Sequence, residues 1–343
     1  MNAGNSDVCQ HRGTASLSVA AVSMNPLLPA TPEAREIAWL WHVFSGVCWI
    51  TFALVMLWLL MVIVRGRRLP PAVVADVPPI APERAGIRKM NGLVGVAVGA
   101  TVFVLFGLLV ADLFVGRALQ PPRTGDALTI KVTARQWWWQ FEYLDRDPSK
   151  GFITANELHL PVGRPVQLLL QSADVIHSFW IPSLQGKKDL VPGHQTSLWL
   201  TPDQPGIYRG QCAEFCGYQH AHMGLLAVVE SPEAFAKWQE AQRLSAAPPS
   251  TESQKRGQQV FLTRTCVMCH TIQGTPANSR VGPPLTHLAS QQTIAAGAFP
   301  NTRGHLAGWI MNPQAMKPGV RMPANPLSPD ELQSLLDYLE TLK

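Results

Sequence analysis

Residues 212–223 read Cys-Ala-Glu-Phe-Cys-Gly-Tyr-Gln-His-Ala-His-Met, and the interpretation of the whole chain depends on this stretch. Two thiols, an imidazole and a thioether fall within it, at Cys212, Cys216, His220 and Met223. Copper electron-transfer sites use these soft and borderline donors, whereas structural zinc sites take four Cys or His ligands without methionine. A second histidine is required, and His177 is the best candidate, which leaves His222 as a surface or supporting residue.

Three kinds of site could use the two cysteines. A disulfide between Cys212 and Cys216 suits an oxidising compartment but leaves His220 and Met223 unexplained. A blue-copper centre takes one cysteine, so the second thiolate would have no role. Two thiolates that bridge two copper ions use every donor, and the sequence therefore favours a binuclear copper site.

Short apolar runs with turn residues between them surround this stretch. Leu128, Ile130, Val132 and Ala134 alternate with polar residues, which indicates a half-buried strand. Further runs lie at 166–170, 175–181, 196–200, 207–211 and 225–229, and Pro–Gly pairs separate several of them. This spacing predicts an antiparallel sandwich or barrel, followed by a helix that Ser231 caps.

A second motif, Cys266-Val-Met-Cys269-His270, is the attachment signature of a c-type haem. Both cysteines would form thioethers, and His270 would be the proximal iron ligand. A thioredoxin-like pair would need a βαβ context, and a zinc pair would need two more ligands. Downstream residues offer several possible sixth ligands, namely Met311, Met316, Met322, His287 and His305. Among them, Met322 precedes Pro323 in a loop before an amphipathic helix that Ser328 and Glu331 cap.

Two apolar stretches lie before the predicted strands. Residues 39–64 carry no formal charge, and residues 90–111 form a second stretch that ends at Asp112. A hydrocarbon core of about 30 Å needs about 20 helical residues, so both stretches predict membrane spans. The loop between them is rich in basic residues, which marks the cytoplasmic side and places both termini outside. Its charged residues are Arg65, Arg67, Arg68, Arg84, Arg88 and Lys89, against Asp76 and Glu83.

Composition excludes several other classes of protein. The 343 residues are 47% hydrophobic and 15% charged, with a mean hydropathy of +0.07, which is too apolar for a disordered chain. Six cysteines are too few for a disulfide-dense scaffold. The net charge of +5 is scattered, so no nucleic-acid partner is expected.

The predicted domain organisation follows from these segments. Residues 1–34 are a leader or a disordered segment, and 35–116 form a two-helix hairpin with spans at about 39–64 and 90–112. Residues 117–244 form the β domain, 245–253 a Pro- and Ser-rich linker, and 254–343 an all-α domain with the haem motif.

Over residues 35–240 the chain resembles subunit II of cytochrome c oxidase. The resemblance is carried by the Cys-x-Glu-x-Cys-Gly-x-x-His-x-x-Met run, by His177, and by Gln136-Trp-Trp-Trp-Gln-Phe-Glu-Tyr143. It implies a Greek-key cupredoxin fold and a mixed-valence CuA centre that two cysteines bridge. The implied CuA ligands are His177, Cys212, the backbone carbonyl of Glu214, Cys216, His220 and Met223.

The same resemblance implies further roles. The Glu214 carboxylate would face a magnesium ion shared with subunit I. Trp137 would be the point where electrons enter, with Trp138 and Trp139 as competitors for that role. The C-terminal domain resembles a class I cytochrome c, in which Met322 is the sixth haem ligand and the Pro283 carbonyl holds the His270 ring. Fusion of the two domains is typical of caa-type terminal oxidases.

The resemblance implies an electron-delivery subunit in a bacterial inner membrane, with both termini and the redox domains in the periplasm. Cytochrome c or a similar donor would reduce the haem c, and electrons would pass through CuA to subunit I. There, among the other oxidase subunits, oxygen would be reduced to water with proton translocation. The sequence assigns no role in proton uptake to Glu83.

Two other functions use similar residues. A membrane-anchored copper assembly factor also carries Cys-x3-Cys and a distant histidine, but it needs neither Met223 nor a covalent haem. The CuA electron-transfer subunit of a nitric oxide or nitrous oxide reductase would contain the same centres, because the terminal acceptor lies in the partner.

Overall fold

The computed structural model describes residues 24–67, 84–120 and 127–343. Residues 1–23 of the predicted leader lie outside the described residues. The predicted cytoplasmic loop lies largely outside them as well, because residues 68–83, with Asp76 and Glu83, are not described.

Two long helices come first, α1 (Pro32–Gly66) and α2 (Arg84–Ala118), each of 35 residues. The Thr31 side chain accepts a hydrogen bond from the Ala34 N–H and so caps α1. At 1.5 Å per residue, each helix extends about 50 Å, which exceeds the hydrocarbon thickness of a bilayer. Both predicted spans therefore lie in helices that are long and apolar enough to cross a membrane.

The start of α1 is attached to the β domain. Ala30 and Thr31 are buried. The Thr31 hydroxyl donates to the Leu184 carbonyl at 2.5 Å, and the Ala30 N–H donates to the Ser183 carbonyl at 2.7 Å. The predicted boundary at residue 35 thus differs from the structure, because this anchored segment precedes it and α1 begins at Pro32.

The β domain (residues 128–242) contains ten strands and one helix. The strands are β1 (Leu128–Arg135), β2 (Trp138–Leu144), β3 (Phe152–Ala155), β4 (Glu157–Pro161), β5 (Val166–Ser172), β6 (His177–Phe179), β7 (Lys188–Leu190), β8 (Thr196–Leu200), β9 (Gly206–Gln211) and β10 (Gly224–Glu230). Helix α3 (Pro232–Gln242) follows, and Ser231 caps it as predicted. A five-stranded sheet has the order β3-β2-β1-β5-β8, and a three-stranded sheet the order β4-β10-β9. Strands β6 and β7 pair with each other.

The predicted β sandwich is confirmed, but its strands do not all run antiparallel as expected. Strand β1 pairs with β5 in parallel, and β4 pairs with β10 in parallel. A period-two pattern of apolar residues indicates which face of a strand is buried. It does not indicate whether the adjacent strand in the sheet is parallel or antiparallel. Parallel pairing requires a long crossover, and the strands between the two partners supply it in both cases.

The core of the β domain contains the cysteines and Met223 of the 212–223 stretch. Trp139, Phe141 and Leu168 are fully buried around them. These three predicted copper ligands are therefore part of the sandwich interior, where packing holds their side chains in place.

The helical domain (residues 252–343) contains four helices and a short hairpin. These elements are α4 (Glu252–Thr263), β11 (Thr293–Ile294), β12 (Phe299–Pro300), α5 (Arg303–Met311), α6 (Pro313–Met316) and α7 (Pro329–Leu339). Helix α7 has the predicted capping box of Ser328 and Glu331. Helix α4 begins at Glu252, so the last two residues of the predicted linker are helical. Short 3-10 turns lie at Pro148–Lys150, His220–His222, Thr265–Met268 and Leu288–Ser290.

Close contact between α4 and α7 requires Gly257. A Cβ atom at this position would lie 1.9 Å from the Ser334 carbonyl oxygen. We expect Gly257→Ala to destabilise the helical domain by about 3 kcal/mol, because the clash is with backbone that cannot move aside cheaply. Urea unfolding of the full chain, followed at the helical domain, measures this change.

Gly304→Ala is the matched control. Gly304 also lies in a helix, α5, but nothing lies within 4 Å of the position of its Cβ. We expect this substitution to be neutral or to stabilise by up to about 1 kcal/mol. Equal effects of the two substitutions would contradict the packing argument.

Candidate metal and haem sites

The segment 212–223, called the ligand loop below, joins β9 to β10 and folds back on itself. The Cys212 N–H donates to the Met223 carbonyl at 2.9 Å, and the Ala213 N–H donates to the Ser178 carbonyl at 3.0 Å. The first bond brings the two ends of the loop together, and the second attaches the loop to β6. As a result, donors that are distant in sequence converge at one place.

The sulfur atoms and ring nitrogens of this loop lie close together. The Sγ atoms of Cys212 and Cys216 are 3.8 Å apart, nearly twice the length of an S–S bond. The Nδ1 atom of His177 lies 3.8 Å from Cys212 Sγ, and the Nδ1 atom of His220 lies 3.7 Å from Cys216 Sγ. Donor atoms of His177, Cys212 and Cys216 all lie within 4.8 Å of one another. The predicted ligands are thus brought together, with one histidine beside each sulfur.

Two further predicted ligands complete this cluster. Met223 Sδ lies 3.9 Å from Cys216 Sγ. The Cys212 thiol donates to the backbone carbonyl of Glu214 at 3.3 Å. The Glu214 side chain is exposed, in keeping with a role for its carbonyl in the cluster and with a carboxylate that faces outward.

Asp174 sets the orientation of His177. Its Oδ1 lies 2.8 Å from His177 Nε2, and the imidazole is fully buried. Because Nε2 carries the proton that bonds this carboxylate, Nδ1 is left free to bind a metal. Burial lowers the pKa of His177, but the hydrogen bonds to Asp174 and Cys212 raise it by more, so the pKa lies above its usual value. Sequence analysis missed Asp174, because its place three residues before His177 is only a weak signal.

Two side chains hold the carbonyl of Cys216. The Trp137 indole N–H donates to it at 3.0 Å, and the Gln136 side-chain amide donates to it at 2.8 Å. Trp137 is half-buried and therefore connects the ligand loop to the surface. Trp139 is fully buried, with its ring edge against His177, and Trp138 stacks under the Arg135 guanidinium. Of the three tryptophans, Trp137 is the half-buried one that bonds the ligand loop, and its role in electron entry stays a prediction.

The two thiols ionise in a coupled way. The hydrogen bond between the two sulfur atoms lowers the pKa of Cys212 well below its usual range. The neighbouring Cys212 sulfur and burial raise the pKa of Cys216 far above its usual range. Two thiolates side by side repel each other, so a bound cation is needed to stabilise both of them together.

The donor set fits a pair of copper ions. It combines two sulfurs that can bridge, two imidazole nitrogens, a thioether and a carbonyl. His177, both cysteines and Met223 are buried, and His220 is half-buried. Copper accepts such soft donors in both of its oxidation states. A structural zinc site would leave the thioether without a role.

The haem motif lies in the helical domain at the 3-10 turn Thr265–Met268. Cys266 and Cys269 are free thiols, available for thioether bonds. The Nδ1 atom of His270 lies 2.7 Å from the Pro283 carbonyl, which is the hydrogen bond that the resemblance implies. It fixes the ring and leaves Nε2 for iron. Burial lowers the pKa of His270, so the imidazole is neutral and able to bind a metal.

Gly282 provides room for the His270 ring. A Cβ at Gly282 would lie 2.8 Å from Cε1 of His270, which would push the imidazole out of place. Together, the free thiols, the held imidazole and this tight contact fit a covalently attached haem.

Met322 lies in the segment 317–325, called the methionine loop below. Asn325 is buried in this loop, and its side chain accepts a hydrogen bond from the hydroxyl of Thr265 at 2.8 Å. Since Thr265 precedes Cys266, this bond holds the loop beside the haem motif. Met322 itself is half-buried, and its role as sixth ligand stays a prediction.

The other candidates for the sixth ligand have different surroundings. The Met316 side chain packs on α5, because a Cβ atom added to Gly308 would lie 3.2 Å from the Met316 sulfur. His287 bonds the Lys343 carbonyl at 2.9 Å, and His305 bonds the Thr302 hydroxyl at 2.9 Å. Each of these three side chains thus has another contact, and Met322 stays the predicted ligand.

Comparison with known proteins gives consistent matches. Residues 148–231 match the family model of cytochrome c oxidase subunit II, periplasmic domain, and residues 254–343 match the model of cytochrome c. The chain is similar to cytochrome c oxidase subunit 2 of Alkalihalophilus pseudofirmus, with 38% identity over 65% of this chain and 64% of that protein. For the Bacillus subtilis protein of the same name the identity is 31%, over 64% of this chain and 63% of that protein.

A solved structure is also similar, the periplasmic domain of subunit II of cytochrome oxidase of Bradyrhizobium japonicum. It is 31% identical and covers 36% of this chain and 97% of that chain, with a TM-score of 0.34. The chain spans about 64% of the length of the curated relatives that it matches. The expected order of two apolar helices, a cupredoxin-like β domain and a C-terminal cytochrome c domain is confirmed.

Asp174→Ala tests the orientation of His177. Loss of the carboxylate frees the imidazole to rotate, and we expect the affinity for copper to fall about 10- to 100-fold. Competition with a chelator, followed by copper absorption, measures the affinity. Asp189→Ala, at an exposed aspartate on β7, is the control and should leave it unchanged. An unchanged affinity in Asp174→Ala would show that packing alone orients the ring.

Met322→Ala tests the sixth haem ligand. A Met/His pair raises the potential of a haem, so we expect the potential of this variant to fall while the covalent haem is retained. Redox titration of the purified chain measures it. Met316→Ala is the control, and a fall in that variant instead would assign the ligand to Met316.

Proposed function

On the premise that this chain is a homologue of cytochrome c oxidase subunit II with a fused cytochrome c domain, we propose that it delivers electrons to a haem–copper oxidase. The observation that supports this most directly is the ligand loop, where two buried thiols lie 3.8 Å apart and each has an imidazole nitrogen beside it. That arrangement suits a binuclear CuA centre.

The bound groups would supply one-electron carriers, a haem c in the helical domain and a copper pair in the β domain. The residues around them keep the ligands in place during electron transfer. Asp174 holds His177, the Pro283 carbonyl holds His270, and the Cys212–Met223 backbone bond closes the ligand loop. Because the surroundings are rigid, little has to move when an electron arrives or leaves.

We propose that electrons enter at the haem c, pass to CuA and cross to subunit I. A separate cytochrome c, or a similar protein, would reduce the haem. Trp137 lies at the ligand loop through its bond to the Cys216 carbonyl, which supports its role as the point where electrons reach the copper pair. Oxygen reduction and proton translocation would take place in subunit I.

The orientation in the membrane is also a proposal. Helices α1 and α2 would form a hairpin with its loop in the cytoplasm, so that both redox domains and both termini lie in the periplasm. The exposed Glu214 carboxylate would then be able to bind a magnesium ion at the interface with subunit I.

Cys216→Ser tests the bridging role of the thiols. Oxygen of a serine does not bridge two copper ions as sulfur does, so we expect loss of the shared-electron EPR signal and of transfer to subunit I. The haem spectrum should stay intact, because the haem lies in the other domain. Cys48→Ser, at an exposed cysteine in α1, is the control. A retained signal in Cys216→Ser would refute the bridge.

Metal analysis of the full chain is the second measurement. We expect two copper atoms and one iron atom per chain when both sites are filled. One copper atom per chain would favour the single-copper site of an assembly factor.

A further inference from the structure

The helical domain inserts a tight turn into the surface of the β domain. Residues 291–297, called the docking turn below, contain β11 and end in Ala295, Ala296 and Gly297. These three residues have positive φ angles of 55°, 60° and 72°. Alanine rarely adopts this conformation, because its Cβ approaches the following carbonyl. Ile294 and Ala296 are buried, so contacts around the turn must hold this shape.

Hydrogen bonds from the β domain reach most residues of the docking turn. The Glu157 carboxylate accepts from the Gln292 N–H at 2.6 Å and from the Thr293 N–H at 3.1 Å. The Gly224 N–H donates to the Ala296 carbonyl at 3.0 Å, and the Arg209 guanidinium donates to the Gly297 carbonyl at 3.1 Å. The turn is therefore bound through its backbone at both ends.

A second contact joins the methionine loop to the ligand loop. Lys317 donates to the carbonyls of His222 at 2.9 Å and Ala295 at 2.8 Å, so it links the ligand loop to the docking turn. The Gln219 side chain donates to the Pro318 carbonyl at 2.6 Å. Gly319 lies against Tyr218, since a Cβ atom added to Gly319 would lie 3.4 Å from the Cβ of Tyr218.

Arg321 extends this contact to the residues beside Trp137. Its guanidinium donates to the Gln136 side chain at 2.7 Å and lies 4.0 Å from the Asp174 carboxylate. Arg321 directly precedes Met322, and Asp174 holds the copper ligand His177. The segment that would carry the haem ligand therefore lies against the residues that support the copper ligands.

Two charged groups are enclosed at this interface. Glu157 is 5% exposed and Lys317 is 2% exposed. Burial raises the pKa of Glu157 to about 7 and lowers that of Lys317 to about 8. Burying a charge costs free energy unless hydrogen bonds compensate, and both groups have such bonds here. Glu157 and Lys317 keep these hydrogen bonds in one arrangement of the two domains, so the bonds favour that arrangement.

We propose that the docking turn fixes the helical domain on the β domain, so that the chain's own cytochrome c domain permanently occupies the face beside the ligand loop. As a consequence, a separate electron donor would reach the helical domain and not this face. This consequence rests on the proposed function, whereas the docking itself does not. Transfer between the two centres then needs no collision of the domains, because the donor is already in position.

The test uses the full chain with both centres filled. Glu157→Ala/Arg209→Ala removes the side-chain bonds at both ends of the docking turn and changes no proposed metal or haem ligand. Gly297→Leu is a second, independent variant, because its side chain would press on Gly224 and its backbone would be strained at φ +72°. Glu252→Ala/Lys255→Ala is the matched control, since it removes an exposed acid–base pair within α4.

Two quantities are measured in every variant. Hydrogen exchange of the amides at 291–297 reports docking, and the rate of haem-to-copper transfer after flash reduction is recorded at several viscosities. We expect the native chain and the control to protect these amides and to transfer electrons at a rate independent of viscosity. In both test variants protection should fall at least 10-fold, and transfer should slow at least 10-fold and depend on viscosity.

Unchanged protection and transfer in both test variants would overturn the proposal, and so would a native rate that already falls as viscosity rises. Failure of the proposed function would look different. In that case the native chain would protect the docking turn, yet no electron would pass from haem to copper.

Discussion

The backbone hydrogen bond between Cys212 and Met223 is the constraint on which the geometry of the ligand loop depends. It closes a loop whose sequence holds most of the predicted copper ligands and presents them to His177 on β6. Because the loop lies within the sandwich core, its sulfur atoms cannot spread apart without disturbing buried aromatic side chains. Packing of the β domain thus prepares the ligand positions before metal binds, and Asp174 does the same for the imidazole.

The sequence motifs named side chains that the fold brings together, because metal and haem attachment need particular side chains at particular spacings. The alternation in Leu128–Arg135 likewise predicted a strand, since burial of one face leaves a direct mark on composition. The direction of neighbouring strands was not predictable, because the alternation of buried and exposed side chains is the same whether the neighbouring strand is parallel or antiparallel. Asp174 was missed because a single aspartate before a histidine is common in loops.

The contact between the two redox domains left no readable pattern in the sequence. The docking turn is bound mainly through backbone groups, which every residue possesses, and its alanines suggest nothing unusual on their own. Glu157 and Lys317 look like ordinary surface charges until the fold encloses them. Interfaces of this kind are visible only when the two domains are placed together, whereas a ligand set is visible within one segment.

The anchorage of Thr31 on Leu184 has a geometric consequence for the orientation of the β domain relative to α1. From Pro32 onward α1 is continuous, so the bond transmits the orientation of the bilayer-embedded helix straight to the β domain. Each helical residue contributes about 1.5 Å of height and about 100° of rotation. Inserting one residue between Pro32 and Trp39 would therefore move the ligand loop only slightly along the axis of α1, but would turn it by about 100° around that axis. The length of this short stretch sets the direction in which the β domain faces.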